Sequence, residues 1–217
     1  MEVEKIYSKM EECGVVPVIA IESPEMALPL VDALIEGGLP VAEITFRTTA
    51  AEEVLKKLKK ERPEILLGAG TILSMQHLLR AKECGAVFGV SPGLNPEIVR
   101  KAVEIGFPFL PGVVTPSEIE QGLSFGIKVL KFFPAEASGG TAMIKAVAAP
   151  YMHLGVRFFP TGGCNIKNLE EYLKLPQVLA VGGTWVATRD MISAGKWDEI
   201  RKNAADAAAL VKRVRGK

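Results

Sequence analysis

Cysteine and histidine are scarce here: the chain has three of the first and two of the second in 217 residues. Cys13, Cys84 and Cys164 are far apart, odd in number and outside any CxxC spacing. That argues against a disulfide framework and reads as buried thiols in a reducing compartment. His77 and His153 stand apart, and no His/Asp/Glu cluster has metal-ligand spacing, which disfavours a divalent-metal mechanism. A charge excess is missing too. The formal net charge is +1 with acids and bases interspersed, so there is no basic stripe for a phosphate backbone, and nucleic acid is not an expected partner. No apolar run approaches membrane-spanning length, and the N-terminus, charged from Glu2, lacks the apolar centre of a signal peptide. The expectation is a soluble cytoplasmic protein without a membrane partner.

What is present is a rhythm. Short apolar or β-branched runs alternate with longer helical patterns along the whole chain, with no Pro/Ser-rich linker between them. Strands are expected at residues 15–21, 41–46, 65–70, 87–91, 107–112, 128–133, 156–162 and 178–183. Ser23-Pro24, Asn95-Pro96 and Thr115-Pro116 each put a capping side chain before a proline at the first helical position, and Thr115 with Glu118 spells a capping box. Gly37, Gly85, Gly106 and Gly126 stand where helices end and a left-handed residue is wanted. Val3, Ile6, Met10 and Cys13 share one helical face ahead of the first strand, a helix suited to plugging the bottom of a barrel. Eight compact βα units predict one (β/α)8 barrel domain over residues 1–217 with an extra N-terminal helix. The competing doubly wound sheet would want a GxGxxG after its first strand, and none is there.

Charged residues inside two of these strands pose the chemical question. In "KVLKFF", Val129, Lys131 and Phe133 share a face, and both faces of a small barrel strand are dry. Lys131 therefore loses water, either as a snorkelling or ion-paired side chain or as a functional one. In "VAEITFR", Glu43, Thr45 and Arg47 point together, with Arg47 about 13 Å beyond Glu43 if the strand stays extended. A buried carboxylate is costly without a partner or ligand, and barrel active sites lie at the C-terminal strand ends, where Arg47 falls. A structural Glu43–Lys131 ion pair is the alternative. "GAGT" sets Thr71 beside small glycines, and "VSPG" sets Ser91 and Pro92 past the fourth strand, as an ordinary turn would. "PTGG" and "VGGT" place glycine pairs after strands seven and eight, where barrels commonly bind phosphate through free N–H groups and a nearby helix N-terminus. Two tight turns are the alternative, which the recurrence on consecutive strands disfavours.

Taken in order, the glutamate of "EITFRT", the threonine after "GAG", "SPGL", the lysine of "KFFPAE", "PTGG" and "VGGTW" resemble the 2-keto-3-deoxy-6-phosphogluconate (KDPG) and 4-hydroxy-2-oxoglutarate (KHG) aldolase family over nearly the whole chain. The resemblance implies a class I, metal-free aldolase of the Entner–Doudoroff pathway on a (β/α)8 barrel, typically a homotrimer. Its small-molecule substrate is a phosphorylated sugar keto acid, and its only cofactor-like element is a covalent imine. It places the Schiff-base lysine on Lys131, the general acid/base on Glu43 and the carboxylate-binding arginine on Arg47. Thr71, Pro92 and Phe133 fall on positions lining the pyruvyl pocket. Thr161, Gly162 and Gly163, then Gly182, Gly183 and Thr184, fall on the phosphate site. Relatives often carry serine at position 184 and some carry arginine at Ala20, so carboxylate binding here rests more on Arg47. An aldolase for the galactonate epimer, an imine-free sugar-phosphate isomerase or epimerase barrel, and a non-catalytic trimeric scaffold are the rival readings.

Overall fold

The computed structural model describes residues 3–216. Among the described residues nine strands form: β1 (Val15–Ile19), β2 (Val41–Thr45), β3 (Leu66–Gly70), β4 (Phe88–Val90), β5 (Phe109–Leu110), β6 (Gly112–Val113), β7 (Val129–Phe132), β8 (Arg157–Pro160) and β9 (Val181–Gly183). The helices between and around them are α1 (Val3–Cys13), α2 (Ala27–Glu36), α3 (Ala51–Glu61), α4 (Met75–Glu83), α5 (Pro96–Glu104), α6 (Pro116–Ser124), α7 (Gly140–Ala148), α8 (Leu169–Leu173), α9 (Arg189–Ser193) and α10 (Trp197–Arg215).

All strand pairings are parallel, in the orders β5-β4-β3-β2-β1-β9 and β6-β7-β8. β5 and β6 are two halves of the expected fifth strand, broken at Pro111, which has no N–H for the ladder but whose carbonyl accepts from Lys131 N at 2.9 Å. The seam between β8 and β9 is thin. It consists of the bridges Phe158↔Val178 and Thr161↔Gly182 with a 2.8 Å bond from Leu179 N to Phe158 O. With that seam the ring closes as an eight-stranded (β/α)8 barrel, as the βα rhythm predicts.

Two apolar layers follow from strands that are hydrophobic on both faces. Inside the barrel, Val16, Val41, Leu66, Phe88, Leu110 and Phe159 pack together, and Ile6 and Met10 of α1 close the bottom. Val3, on the same helix, remains exposed. The larger layer lies between the sheet and the helices. Below the seam, Arg215 at the end of α10 donates from Nη1 to Leu179 O (2.8 Å) and Glu11 O (3.0 Å) and from Nη2 to Val178 O (2.9 Å).

The helix starts are mostly as read. Asn95 Oδ1 accepts from Glu97 N at 3.0 Å, and the Thr115/Glu118 capping box is complete. Ser23 departs: it precedes only a 3-10 turn, and its hydroxyl goes to the Glu25 carboxylate. Gly37 departs as well, with φ −78°, while Gly38 takes the left-handed conformation at +84°. Gly37 is there for space, because a Cβ would lie 2.5 Å from Ala204 Cβ on α10. Thr115→Ala should cost about 1 kcal/mol. For a domain this size, that lowers Tm by about 2–4 °C in a thermal melt.

Candidate active site

Period-two alternation in β2 and β7 turns a charged side chain into the barrel from each. Glu43 stands opposite Val18 of β1 and Gly68 of β3, and Lys131 opposite Gly112 of β6 and Phe159 of β8. Glu43 is 0 % exposed and Lys131 5 %. Neither carboxylate oxygen of Glu43 has a hydrogen-bond partner, so the hydrogen-bonded ion pair that the sequence allowed is not formed. The two groups act on each other through space. Burial pushes the Glu43 carboxyl above its ordinary value, with Lys131 and then Arg47 pulling it back. Burial holds the Lys131 ammonium below its ordinary value, opposed by Glu43 and assisted by Arg47. Lys131 Nζ also lies 5.0 Å from the centre of the Phe133 ring, a contact that favours the charged amine.

Arg47 is not far out along an extended strand. β2 ends at Thr45 and the chain turns, so that Arg47 Nε donates to Thr45 Oγ1 at 3.1 Å, whose hydroxyl donates to Ile19 O at 2.8 Å. The guanidinium folds back over the cavity that Glu43 and Lys131 share. Thr71 has φ +58° and is the only non-glycine residue with positive φ among those described. For a β-branched residue this costs about 1–2 kcal/mol, a strain found mostly where backbone geometry serves a site.

The cavity has a volume of about 240 Å³. Glu43, Arg47, Thr71, Pro92 and Lys131 line it from β2, β3, β4 and β7, and Thr161, Gly162, Gly163, Gly182 and Thr184 from the ends of β8 and β9, with the Phe133 ring against Gly162 between the two sets. Of the twelve residues that the family resemblance places in the site, Gly183 alone does not line it: a Cβ there would come within 2.6 Å of the Trp185 ring, so it makes room for that indole. Val18 and Cys164 line the cavity without having been expected. Val18 sits in an apolar strand, and its alignment with Glu43 is visible only once the register is known. Cys164 directly follows the first glycine pair, which is the signal that could have found it; burial pushes its thiol up to about 12.

On the far side the donors are neutral. Thr161 Oγ1 is buried without a partner. Gly162 and Gly163 are left-handed, at φ +98° and +83°, and Gly163 O accepts from Asn165 Nδ2 (3.0 Å) and Asn168 Nδ2 (3.2 Å). α8 begins at Leu169, and Asn168, which flanks its start, is one of the two residues that reach Gly163 O, whereas α9 begins at Arg189, beyond the second glycine pair. Any anion there meets loop N–H groups and hydroxyls. Among the described residues, no three His, Cys, Asp or Glu side chains gather as metal ligands, and no helix is long and apolar enough to cross a membrane. A larger cavity of about 390 Å³ opens at the opposite, N-terminal end of the barrel, walled by Tyr7, Phe107, Phe125 and Lys128. Its arginine, Arg157, is engaged by Glu11 at 2.9 Å, and it holds no buried lysine–carboxylate couple.

A buried amine held below its usual pKa, a buried carboxylate above its own, and an opposing wall of neutral donors at a barrel mouth define a lysine-dependent, imine-forming lyase. The chain belongs to the KDPG and KHG aldolase family, whose model matches residues 6–203. It is 44% identical over 209 residues to the 2-dehydro-3-deoxy-phosphogluconate aldolase of Haemophilus influenzae, covering 96% of this chain and 98% of that one. It is 44% identical over 193 residues to the KHG/KDPG aldolase of Escherichia coli K12, covering 89% and 90%. Its structure resembles that of the KDPG aldolase from Legionella pneumophila with pyruvate captured as a covalent carbinolamine intermediate, with a TM-score of 0.90, 38% identity and coverage of 95% and 98%.

Proposed function

We propose that this protein is a class I aldolase that cleaves 2-keto-3-deoxy-6-phosphogluconate to pyruvate and D-glyceraldehyde 3-phosphate, and 4-hydroxy-2-oxoglutarate to pyruvate and glyoxylate. The observation that carries this reading is the unpartnered, fully buried Glu43 sharing one cavity with Lys131. Neutral Lys131 attacks the keto carbon, and loss of water with uptake of one proton from solvent leaves a protonated imine. Glu43 takes the proton of the C4 hydroxyl as the C3–C4 electron pair moves into the imine, the aldehyde departs and an enamine remains. Glu43 returns its proton to C3, water hydrolyses the imine, and pyruvate leaves with the lysine regenerated.

Arg47 is assigned to the substrate carboxylate, with Thr71, Pro92 and Phe133 around the pyruvyl group. Thr161, Gly162, Gly163, Gly182 and Thr184 are assigned to the phosphate, with Gly183 supporting that loop from behind. Binding energy at that remote end then aligns the reacting bond. Family membership extends the proposal to a cytoplasmic homotrimer, an assembly that light scattering reads directly.

Incubation with pyruvate and borohydride, followed by peptide mass analysis, should find the reduced pyruvate adduct on Lys131. Absence of an adduct there sinks the imine mechanism. Comparing turnover of the gluconate and galactonate epimers with that of the unphosphorylated acid then fixes the substrate.

A further inference from the structure

β3 reads Leu66-Leu67-Gly68-Ala69-Gly70, with both glycines on the face that looks into the barrel. Neither has a positive φ, so conformational freedom does not explain them. Space does. A Cβ at position 68 would come within 2.6 Å of the Phe88 ring, which belongs to the inner core. A Cβ at position 70 would lie 2.7 Å from Glu43 Cδ and 2.8 Å from its Cγ, and nearer still to Oε1. The inner face of β3 is thus a mould with two slots, the lower filled by an aromatic ring and the upper by a carboxylate.

The upper slot matters because nothing polar holds Glu43. Its oxygens have no hydrogen-bond partner, and in the ladder it stands beside Gly68 while Thr45 stands beside Gly70. The side chain therefore leans one step toward the mouth and rests on Gly70 by contact alone. Its other side faces the cavity where Lys131 lies. A methyl group at position 70 would leave the carboxylate one direction to yield, into the cavity and toward the amine.

We propose that Gly70 is a positioning residue for the reaction: its bare Cα seats the Glu43 carboxylate against β3 and keeps it out of hydrogen-bond reach of Lys131. The inference rests on the imine reading given above. A carboxylate bonded directly to Nζ would hold the amine protonated and occupy the acceptor needed for the substrate hydroxyl. The seat keeps the two groups in one cavity but apart.

The test is a double-mutant cycle of Gly70→Ala and Glu43→Ala, read by kcat/KM against pH and by pyruvate trapping, with circular dichroism to establish folding. Gly70→Ala should lower kcat/KM at neutral pH by roughly 10- to 100-fold and move the lysine-controlled limb to higher pH. Trapping at neutral pH should slow and recover in alkali. Alanine at position 43 removes every atom that fills the slot, so adding Gly70→Ala to Glu43→Ala should change the residual kcat/KM by less than about 3-fold. That comparison survives even if Gly70→Ala alone fails to fold, because truncation of Glu43 at Cβ removes the clash. A Gly70→Ala enzyme with an unshifted pH profile, or an equal loss from Gly70→Ala in both backgrounds, overturns the proposal. Failure of the unmodified enzyme to trap pyruvate would instead overturn the imine reading, so the two failures are distinguishable.

Discussion

Lys131→Met is expected to abolish aldol cleavage, by about 10⁴-fold or more in kcat/KM, in a barrel that still folds. Among the described residues no other lysine lines the cavity, so no neighbouring amine there can substitute as nucleophile. The informative companion is Glu43→Leu/Lys131→Met. The folded-state pKa of Glu43 is raised, so stability falls as pH climbs from the ordinary carboxylate range to that raised value. The folded-state pKa of Lys131 is lowered, so stability is regained only as pH climbs from that lowered value towards 10.5. Between those limits the native protein carries the cost of two buried ionisable groups. Replacing both with apolar side chains of similar size should stabilise it by about 1–4 kcal/mol near neutral pH. A denaturant titration that finds the inactive double variant less stable than the parent would show that the couple is structural.

Glu43→Gln should lower kcat by about 10²- to 10⁴-fold, the usual contribution of a positioned proton-transfer group. Its pH signature separates it from a packing defect. Productive attack needs Glu43 ionised and Lys131 neutral, so both deprotonations make kcat/KM climb with pH. The raised carboxyl and lowered amine draw the two limbs towards each other, and their apparent values belong to the pair. The parent enzyme should show log kcat/KM rising with a slope approaching two on the acid side. Glu43→Gln should show a slope of one. Equal slopes would remove Glu43 from proton transfer.

The barrel was legible because its strands are apolar on both faces and its helices begin at visible caps, as at Asn95 and Thr115. What escaped were features decided by neighbours distant in sequence. Just past the break at Pro111, Gly112 lies hard against the loop that follows β4, where a Cβ would lie 2.7 Å from Gly93 N. Gly37 looked like a left-handed cap, yet its role is set by Ala204. In the site, Glu43 and Lys131 stood out because charge inside an apolar strand is conspicuous. Val18 carries no such mark, and the glycines of β3 read only as possible room for some approaching group. Arg47 was placed on the right face but at the wrong height, because nothing local announces that β2 stops at Thr45.

The thin seam between β8 and β9 bears on how the molecule is made. β1 meets β9 through Val15↔Val181, so β1 leaves the ribosome well before the strand that covers its open edge. Pairings so distant in sequence slow folding. The three carbonyls that Arg215 gathers from Glu11, Val178 and Leu179 then act as a latch applied by the final helical turn. A nascent chain lacking that turn would present an unlatched cylinder with exposed parallel edges to the quality-control machinery of its cell.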